Sequence, residues 1–472
     1  MQTEKVKEVG HAFVPTYEIR NAFSTALSQM YQQEVPLYGD LLDIVDQINS
    51  RVLAVNPDLE IDLRRRGELH RLGPERHGAI RLGTPEELSM MRRVSAVMGM
   101  HAVGYYDLSV AGVPVHSTAF RPTDLESLNR NPFRIFTSLL RCELIEDEPL
   151  RQEVKQLLAQ RNIFSNQAIV LVEQFEREGG LDAVAATSFV EAVLETFRWH
   201  GDALVDAQTY NRLHDVHRLV ADVVSFRGPH INHLTPRTLD IDAAQEEMQA
   251  RGMGAKAVIE GPPRRKVPIL LRQTSFKALE ENIVFRSGTD EEQGTHTARF
   301  GEIEQRGLAL TPKGRVLYDT LLDEARAEEG SQDELYEQRL RRAFARFPDD
   351  SDTLRREGLG YFHYRVDAGS PATVAVGADS ADLETLVASG AVKASAVIYE
   401  DFLPVSAAGI FQSNLGGEEQ RAYSASEAKA SFERDLGVAV ADPFSLYEAI
   451  ERDSIALVRA VLRTRADSNG VE

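Results

Sequence analysis

Two histidine-bearing tracts carry most of the chemistry legible in this chain. Arg76-His-Gly-Ala-Ile-Arg81 and His230-Ile-Asn-His-Leu-Thr-Pro-Arg237 both read as short strands, and each places a histidine four residues before an arginine. Positions four apart on a strand share a face, which pairs His77 with Arg81 and His233 with Arg237. A third tract, Phe300-Gly-Glu-Ile-Glu-Gln-Arg306, offers Glu302 and Glu304. These two also share a face, so spacing does not choose between them. Two neutral imidazoles and one carboxylate on one side of a metal form the arrangement of non-haem Fe(II) oxygenases, in which a bidentate substrate and O₂ take the open positions. The bland reading of the same residues is a histidine strand beside a solvated acidic edge, and spacing alone does not separate the two. Arg81 suits a clamp on a substrate carboxylate, because its planar fork donates parallel hydrogen bonds. Its bland role is an ion pair with Glu86 or Glu87, and Arg237 has the same two readings. His230 is offset by three from His233 and should face away, as a supporting or structural residue. His11, His101, His116, His200, His214 and His217 have no convergent partner in the sequence and read as surface or core histidines.

The elements that must position these residues form a repeated order. Residues 20–55 carry Leu41, Val45, Ile48 and Val52 at helical spacing. The His77 strand is followed by a helix from Thr84, an N-cap with Pro85 next and Glu87 three on, running to about Val97. Two strand-like runs follow, Val103–Val110 and Val113–Phe120, split by an Ala111-Gly112 turn. Residues 124–225 read as a mostly helical insertion. The order then recurs: the His233 strand, a helix from about Asp242 to Arg251 ended by Gly252 and Gly254, and strand-like runs at Ala257–Glu260, Ile269–Phe276 and Ala298–Leu310. The expected fold is α+β, with two βαβββ half-barrel modules, a helical insertion and a C-terminal extension. The boundaries are an N-terminal helical segment at 1–67, the modules at 68–123 and 226–320, the insertion at 124–225 and the extension at 321–472. Within the extension, an acidic helix is expected over Asp319–Phe347 and a terminal helix over about Phe444–Arg463. The apolar tract Tyr399–Asn414 reads as a lid folding over the cleft.

Bulk composition narrows the function classes. Asp and Glu outnumber Lys and Arg 73 to 53 in 472 residues, a net charge of −20. Such a surface repels nucleic acid and anionic lipid, so neither is an expected partner. Cys142 is the only cysteine, which excludes an internal disulfide and any cysteine-based zinc cluster and suits a reducing compartment. No stretch approaches the roughly 18 apolar residues of a membrane span, and Met1–Val9 has no signal core. A soluble cytoplasmic enzyme, monomer or homodimer, is expected.

The tracts Arg76–Arg81, His230–Asp240, His296–Gly307 and Phe402-Leu-Pro-Val-Ser406, in this order over most of the chain, resemble the 2-oxoadipate dioxygenase/decarboxylase (hydroxyglutarate synthase) family of the vicinal-oxygen-chelate superfamily. The resemblance implies Fe(II) bound by His77, His233 and a glutamate, with Arg81 and Val405 touching substrate. It favours Glu302 over Glu304, because Glu302-Ile-Glu-Gln-Arg306 is similar to the metal-glutamate context of related 4-hydroxyphenylpyruvate dioxygenases. The implied reaction converts 2-oxoadipate and O₂ to 2-hydroxyglutarate and CO₂ in lysine breakdown, the 2-oxo acid supplying the electrons. The alternative is a glyoxalase-like metal lyase or isomerase on the same fold. That chemistry expects a fourth protein ligand from the last strands of the first module, where His116–Phe120 offers no carboxylate.

Overall fold

A computed structural model describes residues 12–287, 290–327, 336–367, 382–403 and 421–469. The fold is mixed α+β. Its centre is a five-stranded sheet built from β1 (Arg76–Leu82), β2 (His101–Asp107), β3 (Val115–Arg121), β4 (Arg134–Leu140) and β5 (His233–Pro236), in the order β2-β3-β4-β1-β5. β1 runs parallel to β4 and antiparallel to β5, with His77 opposite Arg134 on one side and Thr235 on the other.

Alternation along β1 sorts its two faces. Ile80 and Leu82 join the core formed with the N-terminal helices Thr16–Glu34 and Leu37–Val55, through Phe23, Leu27, Tyr31, Leu41 and Ile44. His77, Ala79 and Arg81 take the other face by the same alternation. Ala79 there joins a second core with Phe136, Leu140 and Phe402. A sheet buried on both faces gives the site a rigid floor and excludes water from both sides. The helix after β1, Pro85–Val97, starts as its sequence predicts. Thr84 accepts from the Glu87 amide, and Glu87 reaches back to the Gly83 amide at 2.7 Å.

β4 corrects the expected insertion. Residues 134–140 lie inside the segment read as helical, yet form a strand between β3 and β1. Arg134-Ile-Phe-Thr-Ser-Leu-Leu140 is buried throughout, so it shows no polar face. A short run buried on both faces carries no alternation to distinguish it from a helix. The first strand–helix–strand unit therefore extends to about residue 140 rather than 123.

The second unit differs from the first. β6 (Leu271–Ser275) pairs with β9 (Glu302–Arg306), and β9 approaches β5 through a parallel bridge between Arg237 and Glu304. Between β6 and β9 the chain makes a separate hairpin of β7 (Glu280–Ser287) and β8 (Asp290–Thr297). The predicted run Ala257–Glu260 forms only an isolated bridge, Glu260 to Gln273. Farther on, the expected acidic helix is described as two helices, Pro312–Ala327 and Tyr336–Phe344, with 328–335 outside the described residues. β10 (Phe362–Val366) and β11 (Val392–Ala396) make a small sheet under the long helix Pro443–Asn469. No helix among the described residues is long and apolar enough to cross a membrane.

Candidate functional site

The β1–β5 pairing brings the two histidine tracts together. His233 lies opposite Ala79 and His77 opposite Thr235, and the two imidazole rings sit 5.4 Å apart, nearly perpendicular. Gly78 permits this approach: a Cβ there would lie 2.6 Å from Ile231 Cδ1 and 3.1 Å from the His233 carbonyl. β9 then delivers the carboxylates. Glu302 Oε2 lies 3.4 Å from His77 Nε2 and 3.8 Å from His233 Nε2. It is held there by Thr235 Oγ1 at 3.0 Å and Gln273 Nε2 at 2.8 Å. His77, His233 and Glu302 are all buried and offer converging ligand atoms.

Glu304 shares the face of Glu302, as two-residue spacing requires, but meets the opposite edge of the same ring. Its Oε2 lies 2.9 Å from His77 Nδ1. Its carboxylate takes two bonds from Arg306, at 2.7 and 2.9 Å, and lies 3.8 Å from Arg134. Against the penalty of full burial, Arg306, His77 and Arg134 hold Glu304 down at about 2. Burial favours neutral imidazoles, yet Glu304 and Glu302 raise His77 above the ordinary histidine value. His233 is driven well below it by burial and then by its neighbours His77, Arg81 and Lys256.

These atoms fit a bound cation. Both ring nitrogens of His233 and Nε2 of His77 are buried without a hydrogen-bond partner. Buried polar atoms in native proteins are seldom left in that state, and a metal ion beside Glu302 would take one nitrogen, Nε2, from each imidazole. Phe402 and Phe300 wall the site, their rings 4.8 Å from His77 and 4.7 Å from His233.

The two arginines part company. Arg237 is buried in an ion cluster, 3.0 Å from Glu75 and 3.4 Å from Glu68. Arg71 and Arg134 bind Glu75 and Glu400 in the same cluster, which reaches Glu304 through Arg134. Arg237 therefore supports the floor of the site. Arg81 keeps some exposure and pairs with Asp222 at 2.6 Å, rather than with Glu86 or Glu87. His230 packs with Asp222 and His296, away from the Glu302 carboxylate. Val405, and most of the tract read as a lid, lie outside the described residues. His217 caps the helix Arg218–Ser225, accepting from the Leu219 amide.

Sequence reasoning missed Thr235, Gln273 and Asp222. Thr235 was reachable, being two residues after His233 and so on its face. Asp222 also left a trace as the one acid in the apolar helix Arg218–Ser225, where a buried charge requires a partner. Gln273 left none.

Comparison with known proteins adds independent support. The model of the family described as 2-oxoadipate dioxygenase/decarboxylase matches residues 23–414. A Pseudomonas putida (strain KT2440) protein named 2-oxoadipate dioxygenase/decarboxylase is 56% identical over 457 residues, covering 94% of this chain and 96% of its own. An Escherichia coli K12 protein of the same name is 55% identical, over 93% of this chain and 97% of its own. The crystal structure of the Pseudomonas putida hydroxyglutarate synthase in complex with 2-oxoadipate superposes with a TM-score of 0.87 at 53% identity, covering 96% of this chain and 99% of that one. The four motif tracts, the matched family model and relatives of nearly equal length agree: the chain belongs to the 2-oxoadipate dioxygenase/decarboxylase family.

Proposed function

We propose that this protein is an Fe(II)-dependent dioxygenase that converts 2-oxoadipate and O₂ to 2-hydroxyglutarate and CO₂, a step of lysine breakdown. The observation that carries the reading is the buried convergence of His77, His233 and Glu302, with imidazole nitrogens that have no protein hydrogen-bond partner. His77, His233 and Glu302 would hold the iron, which supplies a Lewis-acidic centre for the 2-oxo acid and a route for O₂ reduction. We read the two strand–helix–strand units as the paired half-barrel modules of a vicinal-oxygen-chelate arrangement.

The chain's own residues have separate tasks. Thr235 and Gln273 fix the Glu302 carboxylate, and Glu304 sets the orientation and basicity of His77 from its far edge. Phe402 and Phe300 exclude water from the reacting end of the substrate. Arg81 pairs with a substrate carboxylate, and Val405 is a substrate contact in this reading. The C1–C2 bond breaks and C1 leaves as CO₂. One oxygen atom of O₂ completes the new carboxylate and the other becomes the 2-hydroxyl, so no external reductant enters. The glyoxalase-like reading needs a further protein ligand, and β4, the last strand of the first unit, carries no carboxylate.

The test is direct. Apo-protein is reconstituted anaerobically with Fe(II), then given 2-oxoadipate and air. Stoichiometric O₂ uptake, CO₂ release and 2-hydroxyglutarate are expected; absence of both O₂ uptake and CO₂ release refutes the reading.

A further inference from the structure

Beside the metal-ligand set lies a second buried group of similar composition, Asp222, His230 and His296, whose ligand atoms all fall within 4.8 Å of one another. Its bonding differs from that of the first. His296 places Nε2 at 2.9 Å from Asp222 Oδ1 and Nδ1 at 2.8 Å from the Tyr210 hydroxyl. His230 Nε2 lies 3.3 Å from the same Asp222 oxygen. The other oxygen, Oδ2, lies 2.6 Å from Arg81 Nη1. His77 Nε2 and both His233 nitrogens lack hydrogen-bond partners, whereas these contacts are already satisfied. The carboxylate has its cation, and that cation is Arg81.

The donor sense follows from the partners. With His296 neutral, Nε2–H donates to Asp222 and Nδ1 accepts from the Tyr210 hydroxyl. One edge of the carboxylate is thereby fixed, and the other is presented to a guanidinium. Arg81 is four residues beyond His77 on β1, a Cα separation of about 13 Å at roughly 3.3 Å per residue. It is also the member of the group with the most exposure, 17% of its side chain. Its fork has five N–H donors, so holding Asp222 through Nη1 leaves others for a ligand.

We propose that Asp222, fixed by His296 and packed beside His230, is a positioning residue that aims Arg81 at the distal carboxylate of a 2-oxo dicarboxylic acid whose oxo-acid end sits at His77, His233 and Glu302. The inference rests on the function proposed above. The near carboxylate meets the metal, whereas the far one enters a buried space and needs its own counter-charge. Chain-end selectivity then resides in a cluster that contains no metal ligand.

Trp199, the only tryptophan, reports on this cluster, its ring 4.6 Å from that of His230 and stacked 5.9 Å from that of His296. Fe(II)-loaded wild type and Asp222→Asn are titrated anaerobically with 2-oxoadipate and with 2-oxohexanoate, which keeps the oxo-acid end but lacks the distal carboxylate. Binding is followed by Trp199 fluorescence and by calorimetry, without turnover. Asp222→Asn should weaken 2-oxoadipate about tenfold or more and leave 2-oxohexanoate within about twofold. In air, KM for 2-oxoadipate should rise while kcat changes little. His296→Leu should reproduce the loss, and His296→Gln, whose amide can still donate to Asp222, should restore most of it. Equal weakening of both ligands, or of neither, overturns the proposal, as does wild-type binding by His296→Leu. If Asp222→Asn does not fold, the His296 pair decides by the same criteria. Wild type that binds 2-oxoadipate selectively but neither takes up O₂ nor releases CO₂ would remove the oxygenase reading and leave the positioning role to the titrations.

Discussion

Glu302 and Glu304 differ by two residues and by the edge of His77 that they meet, and replacing each with glutamine separates their roles. Glutamine keeps the size of the side chain and removes its charge. Glu304 is fully buried, and its carboxylate is the common acceptor for both N–H groups of the Arg306 fork, with His77 and Arg134 close by. Removing one partner of a buried pair costs roughly 3–5 kcal/mol. Arg306 retains the Tyr399 and Asp401 carbonyls, at 2.8 and 2.9 Å, which places Glu304→Gln at the lower end, about 3 kcal/mol. Its effect on metal affinity should be the roughly 10- to 100-fold loss typical of a residue that orients a ligand. Glu302 instead rests on the neutral donors Thr235 and Gln273, so Glu302→Gln should cost the apo-protein less than about 1.5 kcal/mol. It should, however, abolish stoichiometric iron binding. Urea unfolding of the apo-proteins measures the first quantity, and anaerobic competition against a chromophoric chelator measures the second. Full iron binding by Glu302→Gln, or equal affinity losses in both variants, would refute the assignment.

Three further perturbations follow from the same geometry. Gly78→Ala drives a methyl group into Ile231 and the His233 carbonyl, so it should destabilise by about 1–3 kcal/mol and weaken iron binding through the ring spacing, read by unfolding and metal titration. Phe402→Ala removes the ring packed on His77 and Phe136 and should cost about 3–5 kcal/mol in urea unfolding. His116, pushed down by burial and then by Arg141 to about 4 from 6.5, stays neutral in the folded protein over a range where the unfolded chain takes up a proton. The stability it contributes is present above pH 6.5 and lost as pH falls toward 4, on the order of 3 kcal/mol in all. His116→Leu should therefore flatten stability against pH across that window, and an unchanged slope would contradict the burial argument.

The parts of the molecule legible from sequence were those with local signals. The His77 and His233 tracts located the two paired strands β1 and β5, and the Thr84-Pro85-Glu86-Glu87 pattern located a helix start. β4 escaped because burial on both faces removed its periodicity. The β7–β8 hairpin escaped because Asp290-Glu-Glu-Gln-Gly-Thr-His-Thr297 is too polar to read as a strand. The Glu302/Glu304 ambiguity was real in one dimension, since both carboxylates do face His77. The placement of β9 beside β5, at the Arg237–Glu304 bridge, sends one to Nε2 and the other to Nδ1. Arg81 shows the other limit: its partner Asp222 lies 141 residues away, and no local pattern links them.

The short stretch Tyr399–Phe402 bears on how this enzyme can be divided. Glu400 is locked to Arg71 and Arg134, Asp401 to Arg121 and Tyr447, and Phe402 to His77. A protein ending before these residues would leave Arg121 without its carboxylate and the Arg71–Arg134–Glu75 group with excess buried positive charge. The histidine tracts and their glutamates are therefore not a portable cassette. A late nonsense mutation should be as damaging to the proposed metal site as loss of a ligand. Conversely, the proposed iron at His77 should protect a region more than 300 residues away in sequence from proteases, because the Phe402 ring packs on His77.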